Sequence, residues 1–344
     1  MSLQIPDSVL IPLSAGLVSL IMCIILSLYF VSMPFFVLKL TSLYYKFRSD
    51  GEWRYEKRRN RKSPLVIVTA VVMVLFVGIT TVLVSFFYND VFPAKVKTGF
   101  VAHRAGGFEA PENTAAGLDA AYKFGASGGE IDIQRTSDNN YIVLHDATFA
   151  RVAGVDKKPS EMTLDEVKEL RVDGEPVPTL EDMLNSSRGR LTLYIELKGD
   201  TADKEMAEYA VKTVRDFDMI GETVLISLKY DLIDYIESTY PEINTGYLAF
   251  ASFGDTAPLN CDYRALEEET ATTETIDSIH AKGKKVLVWT VNDAEDIETF
   301  IHSGADDLIT DNLQGVKSVI DELKSETPLE RIINGVFRMY ENAL

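Results

Sequence analysis

Hydrophobic and polar positions follow two different rhythms along this 344-residue chain. In the first ninety residues the apolar positions run together. Residues 9–38 carry no charged side chain, and neither do residues 64–88. Each run exceeds the roughly 20 residues that a membrane-spanning helix needs. Neither run keeps a polar face, as a buried helix of a soluble domain would. The first run has no basic residue before it and is too long for a signal peptide. The pattern therefore predicts two transmembrane helices, with Pro34 as a place for the first to kink or end. Between them, Lys39 to Lys62 hold nine Lys or Arg against three acids. Short cationic loops stay in the cytoplasm. The expected topology is a multi-pass cell-membrane anchor, residues 1–95, with loop 39–63 inside and everything after Tyr88 outside. Contact of the loop with anionic lipid headgroups is a second use of the same charge.

From Phe100 the rhythm changes to short apolar runs alternating with helix-like stretches. Strands are expected near 100–103, 129–134, 141–145, 191–197, 223–227, 245–249, 285–291 and 307–310. Helices are expected near 114–124, 202–217, 230–239, 272–282, 294–302 and 314–324. This alternation predicts an α/β domain over 96–325 with a parallel sheet covered on both faces. On rhythm alone, a doubly wound sheet and a (β/α)8 barrel both remain open. Residues 147–190 interrupt the pattern as an insertion with two short helices, near 162–170 and 178–187. The tail, 326–344, places Leu329, Ile332, Ile333, Val336, Phe337 and Tyr340 at helical spacing on one face. It is expected to pack on the outer wall of the α/β domain.

Charge separates the two regions. The chain has a net charge of −18, yet from residue 63 onward 25 Lys and Arg stand against 48 Asp and Glu. A domain this acidic has no basic stripe for nucleic acid, and its balance is compatible with binding a cation. Cys23 and Cys261 are too few for a disulfide framework and are read as unbridged thiols.

The candidate chemistry lies at strand ends. His103, with Arg104 beside it, closes the first run, and His145 closes the third. The strand GGEIDIQR turns Glu130, Asp132 and Gln134 to one face and Ile131 and Ile133 to the other. Glu196 and Lys198 share a face of LTLYIELK in the same way. His280 and His302 sit near helix ends, where the helix dipole accounts for them; His103 and His145 have no such explanation. Asn113 or Thr114 is expected to cap the helix that follows, and Asp311 to close a strand or cap a helix.

Read in order, His103-Arg104, Pro111-Glu112-Asn113-Thr114, Glu130-x-Asp132, His145-Asp146, Ile195-Glu196-Leu197-Lys198, Trp289-Thr290-Val291-Asn292 and Leu308-Ile309-Thr310-Asp311 resemble the glycerophosphodiester phosphodiesterase family. The resemblance covers roughly residues 98–325. It implies a TIM-type (β/α)8 barrel, with the site at the C-terminal ends of the strands. One departure is Ala105, where the family has a glycine after His-Arg. The implied roles are Glu130, Asp132 and Glu196 as metal ligands and His103 and His145 as an acid/base pair. Arg104 and Lys198 would hold phosphate, Glu112 would join the metal shell or bind glycerol, and Trp289 would wall the glycerol pocket or belong to the core. An all-oxygen ligand set favours Ca²⁺ or Mg²⁺. The implied activity is metal-dependent hydrolysis of a glycerophosphodiester or lipid-derived substrate, which the expected topology would place at the outer face of the membrane. A phospholipase-D-like cleavage of lysolipids through a cyclic phosphate is the alternative reaction, and a non-catalytic binding domain is the alternative role.

Overall fold

The computed structural model describes residues 7–47, 64–91, 96–249 and 259–341. The chain divides into two compact units, 1–95 with 324–344, and 96–323. In the first unit, the two charge-free runs lie in the helices α1 (Asp7–Phe47) and α2 (Pro64–Val91). α1 continues through Pro34 instead of ending there. The two helices pack together, and Thr80 Oγ1 donates to Ser19 Oγ across the pair at 3.0 Å. Among the described residues no helix is long and apolar enough to cross a membrane. Two apolar helices are thus seen where two spans were expected, while crossing itself is not shown. Most of the basic loop, 48–63, lies outside the described residues.

The second unit opens with β1 (Gly99–Ala102), α3 (Ala115–Phe124) and β2 (Gly128–Arg135). β3 (Tyr141–Val143) then turns back antiparallel on the end of β2. The insertion holds α4 (Ala150–Ala153), α5 (Leu164–Lys168), a small hairpin of β4 (Arg171–Val172) and β5 (Glu175–Pro176), and α6 (Leu180–Ser187). Thr163 with Glu166 and Thr179 with Asp182 form capping boxes that start α5 and α6. Alternation resumes with β6 (Thr192–Leu197), α7 (Lys204–Asp216), β7 (Thr223–Ser227), α8 (Tyr230–Thr239), β8 (Asn244–Ala249), β9 (Tyr263–Glu267), α9 (Thr273–His280), β10 (Lys285–Trp289), α10 (Ala294–His302), β11 (Asp307–Thr310) and α11 (Leu313–Ser325).

β1, β2 and β6 to β11 run parallel, and β1 pairs with both β11 and β2, so the sheet closes into a barrel. Eight parallel strands around one axis decide for the barrel over the doubly wound sheet. One strand assignment is corrected. The run at 141–145 is not a staff of the barrel but a hairpin partner of β2. The eighth staff is β9, between β8 and β10. No strand was expected there, and its second residue, Arg264, is 0 % exposed. Its guanidinium lies over the Tyr247 ring, 4.8 Å from the centroid, and Nη1 reaches Cys261 Sγ at 3.8 Å.

Side chains inside the barrel include Val101, Tyr194, Ile226, Leu248, Ala265 and Ile309. The opposite strand faces carry Ile131, Ile133, Leu193 and Ile195, which pack with helix residues such as Leu118 and Met206 in a larger core. Burial on both faces explains why strands such as β7 (TVLIS) and β10 (KVLVW) read as short apolar runs, while β2 and β6 carry acidic residues on their inner faces. The final helix, α12 (Pro328–Glu341), belongs to the first unit. Its Ile332 is buried with Ala15, beside Ile11, Val18 and Val84. Ile332, from the stripe expected to meet the α/β domain's outer wall, therefore packs with residues of α1 and α2 instead, while Ile333 and Phe337 of that stripe are exposed.

Candidate active site

The register of β2 against β6 places Asp132 beside Glu196. Glu130 lies two residues earlier on β2 and so faces the same way. One carboxylate oxygen from each of Glu130, Asp132 and Glu196 lies within 4.8 Å of the others. The three residues are only 3 %, 1 % and 7 % exposed. Glu130 Oε2 accepts from the Arg104 backbone N–H at 2.8 Å. Asn113 Nδ2 donates to Asp132 Oδ2 at 2.9 Å, and Asn113 Oδ1 accepts from the Asp132 N–H at 3.3 Å. Thr114, not Asn113, caps α3 by accepting from the Gly117 N–H at 3.1 Å. Lys198 Nζ stands 2.9 Å from Asp132 Oδ1 and 3.2 Å from Glu196 Oε2. Its approach to Asp132 Oδ1 is off the hydrogen-bonding direction, so that buried oxygen has a compensating charge without a hydrogen bond.

The electrostatics follow from this crowding. Burial, then the charges of Asp132 and Glu196, push Glu130 well above the usual carboxylate range. Burial and Asp132 push Glu196 up to about 7. Burial opposes ionisation of Asp132 too, but Lys198 and His145 outweigh it and hold Asp132 below its ordinary value. Burial pulls Lys198 down, and Asp132 and Glu196 more than restore it. One lysine therefore stands against three carboxylates, and two of those carboxylates resist ionisation. The donor set is all oxygen, closely spaced and deficient in positive charge, with one buried oxygen lacking a hydrogen bond. That fits a hard divalent cation.

Each histidine is held by an aspartate. His103 Nδ1 lies 2.7 Å from Asp311 Oδ1, and His145 Nδ1 lies 2.9 Å from Asp146 Oδ1. A carboxylate only accepts, so each Nδ1 carries the proton and Nε2 is the remaining nitrogen. Asp311 Oδ2 accepts from Asn292 Nδ2 at 3.1 Å, and its backbone N–H donates to Asn292 Oδ1 at 2.8 Å. Asp311 is thus an orienting group for His103 and not a simple cap. Burial lowers His145 below its ordinary value, with Lys198 and Arg104 adding to the effect against Asp132 and Asp146. His280 and His302 lie apart, paired with Asp306 and Glu298 on the last turns of α9 and α10.

Arg104 follows His103 with a left-handed backbone, φ 48°, as does Ala105, φ 66°. The departure from glycine is accommodated: Ala105 is buried, and its N–H donates to Glu130 O at 2.6 Å. Glu112 is not with the three carboxylates. Its oxygens lie 3.5 and 3.4 Å from Arg104 Nη1. Arg151, in the insertion, binds them more closely at 2.8 and 2.6 Å. A cavity of about 330 Å³ joins these groups, lined on one side by His103, Arg104, Glu130, His145, Glu196 and Lys198. Ile226, Leu228, Leu248, Trp289 and Ile309 line it elsewhere. Trp289 is both a cavity wall and a neighbour of the barrel's inner core. The carboxylates, both histidines, Arg104, Lys198 and Trp289 are thus brought together, while Glu112 stands behind Arg104. The sequence reading missed the orienting roles of Asp311, Asn113 and Asn292, and missed Arg151. The strand-end position of Asp311, shared with His103 and His145, was the available signal.

Comparison with known proteins agrees with this geometry. The model of the Glycerophosphoryl diester phosphodiesterase family matches residues 103–314. A glycerophosphodiester phosphodiesterase of Caldanaerobacter subterraneus is 26 % identical over 231 residues, 63 % of this chain and 95 % of that protein. One from Bacillus altitudinis is 25 % identical over 246 residues, 66 % of this chain and 100 % of that protein. The structure of an Oleispira antarctica phosphodiesterase, in complex with the product sn-glycerol-3-phosphate, superposes with a TM-score of 0.60 at 26 % identity, covering 65 % of this chain and 96 % of that one. The chain belongs to the glycerophosphoryl diester phosphodiesterase family and is a glycerophosphodiester phosphodiesterase.

Proposed function

We propose that this enzyme hydrolyses glycerophosphodiesters to glycerol phosphate and an alcohol by histidine acid/base catalysis beside a bound divalent cation, on the extracytoplasmic face of a membrane. The observation that carries the catalytic reading is the pair of Asp-oriented histidines lining one cavity with Glu130 and Glu196, whose carboxylates cluster with that of buried Asp132. Glu130, Asp132 and Glu196 would hold Ca²⁺ or Mg²⁺. When bound, the ion neutralises phosphate charge and stabilises charge that builds on phosphorus-bound oxygen. Arg104 and Lys198 supply further positive charge for the diester. One imidazole Nε2 takes the proton of the attacking water as the new P–O bond forms. The other histidine gives a proton to the leaving alcohol oxygen as its P–O bond breaks.

The membrane reading is supported by the two charge-free runs and the basic loop between them. It is also supported by the outward apolar side chains of α1 and α2, among them Phe35, Phe36 and Phe86, the last 82 % exposed. Such a surface suits lipid better than water. The apolar wall of the cavity favours a second reading within the same class. In it the substrate is a lysolipid whose own hydroxyl attacks phosphorus, giving a cyclic phosphate and releasing the headgroup.

The test is release of glycerol phosphate and choline from glycerophosphocholine by the full chain in detergent, with Ca²⁺, with Mg²⁺ and with EDTA. Cation-dependent release is expected, and His103→Ala and His145→Ala should each nearly abolish it. Full activity in excess EDTA removes the cation from the scheme, and retained turnover in either variant removes the histidines. Phosphorus NMR of a lysolipid digest separates hydrolysis from a cyclic product.

A further inference from the structure

We propose that Arg151, from the insertion, is a positioning residue that holds His145 and Arg104 ready for the substrate through the two carboxylates it bridges. Arg151 Nε and Nη2 donate to Asp146 at 2.7 and 3.0 Å. Nη1 and Nη2 donate to Glu112 at 2.8 and 2.6 Å. All three guanidinium nitrogens are thus in use, and the planar fork joins two carboxylates that come from different parts of the chain. Each carboxylate leads one step further into the site. Asp146 Oδ1 holds His145 Nδ1 at 2.9 Å. Glu112 faces Arg104 Nη1, but only at 3.4 and 3.5 Å.

The difference in distance gives the Glu112 contact its meaning. By taking the Glu112 charge at close range, Arg151 leaves Arg104 only loosely paired and available to a phosphate. Without Arg151, Glu112 would close on Arg104 and compete with substrate for it. Asp146 would also lose the partner that fixes its plane, and His145 would lose its fixed orientation. The bland reading is a surface ion pair, since the Arg151 side chain is 51 % exposed and such pairs contribute little. A surface pair would leave kinetics and the titration of His145 untouched, and the experiment turns on that difference.

The inference rests on the function proposed above, so one of its two readouts is independent of activity. The full chain in detergent would carry Arg151→Gln or Arg151→Lys. Glycerophosphocholine turnover would be measured across pH with Ca²⁺. Its four histidines, labelled with ¹⁵N, would be titrated by NMR. Arg151→Gln should lower kcat/KM by about 10–100-fold, the range for losing an outer partner of an active-site group. Its inhibition by glycerol phosphate should also weaken. His145 faces Asp132, Asp146, Lys198 and Arg104. Removing the Arg151 cation while Asp146 remains should move the His145 midpoint upward by about 0.5–1 pH unit. Arg151→Lys keeps charge without the fork and should fall between wild type and Arg151→Gln. If Arg151→Gln loses its circular dichroism signal, Arg151→Lys is read by the same two measurements. Turnover within twofold of wild type with an unmoved His145 midpoint overturns the proposal. An inactive wild type overturns the proposed function, and the His145 midpoint then still decides the role of Arg151.

Discussion

His103 shows how much of this site is decided one residue away from the group proposed to do the chemistry. Its Nδ1 is held by Asp311, and Asn292 in turn donates to the other Asp311 oxygen. That second donor makes a sharp prediction for Asp311→Asn. The new amide would turn its carbonyl toward Asn292 Nδ2 and its NH₂ toward His103 Nδ1. His103 would then have to accept at Nδ1 and carry its proton on Nε2, the wrong tautomer for taking a proton from water. Turnover should fall by about 10²–10⁴, as wrong-tautomer variants of Asp-His pairs do, with an unchanged circular dichroism spectrum; kcat within tenfold of wild type would contradict the assignment. In the sequence Asp311 showed only that it follows a strand, because its partner is 208 residues away. Asp146 stands next to His145 and was visible as a motif. Local pairs are legible in a sequence; pairs made by closing a barrel are not.

At the scale of elements, the β2–β6 pair builds the carboxylate cluster, and its register is enforced by close backbone approach. A Cβ added at Gly128 would lie 2.5 Å from the Thr192 carbonyl oxygen, a backbone atom that cannot swing aside. Gly128→Ala should destabilise the barrel by about 1–3 kcal/mol through overpacking, seen as a lower urea midpoint, and should weaken cation binding by disturbing β6. An unchanged midpoint would show that the strands are free to separate there. The cluster also predicts a pH-dependent response to cation. Glu196 is pushed up to about 7, above its unfolded range, so the metal-free fold holds a proton there that the unfolded chain has lost. Its contribution to stability is present at low pH and lost as pH rises toward 7. A cation displaces that proton below pH 7 and meets an already ionised group above it. The rise in melting temperature on adding Ca²⁺ or Mg²⁺ should therefore be larger at pH 7.5 than at pH 5.5, by scanning calorimetry against an EDTA reference. An equal or smaller rise at pH 7.5 would mean that the three carboxylates are not where the ion binds. The alternating apolar and acidic positions of β2 and β6 made this pair legible, since burial on one face and chemistry on the other leave a period of two. β9 was not legible because Arg264 is buried over an aromatic ring, and the sequence shows its charge without its neighbour. The run at 141–145 carried strand composition, but composition does not tell a barrel staff from a hairpin partner.

At the scale of the whole molecule, charge and hydropathy divide the chain more sharply than any motif. The first unit holds the charge-free runs and the basic loop, and the acidic excess lies beyond it. α12 belongs to that first unit although it is last in sequence, with Ile332 buried beside Ala15. The two ends of the chain are thus gathered in one unit, and the enzyme is the stretch between them. The proposed topology puts residues 39–63 in the cytoplasm and the catalytic unit outside, and cysteine labelling can test both halves of that statement. Native background is low, because Cys23 and Cys261 are buried at 5 % and 3 % exposure. Asp200, whose side chain is 91 % exposed, offers a site in the catalytic unit, and Gly51 offers one in the loop. In intact cells an impermeant maleimide should label Asp200→Cys at once and Gly51→Cys only after permeabilisation. The basic residues make this direction the expected one, because moving them across a membrane is unfavourable. The reverse labelling order would place the catalytic unit in the cytoplasm. Its substrates would then be cytosolic diesters or inner-leaflet lipids, and the acidic surface would have to be explained without an external cation supply.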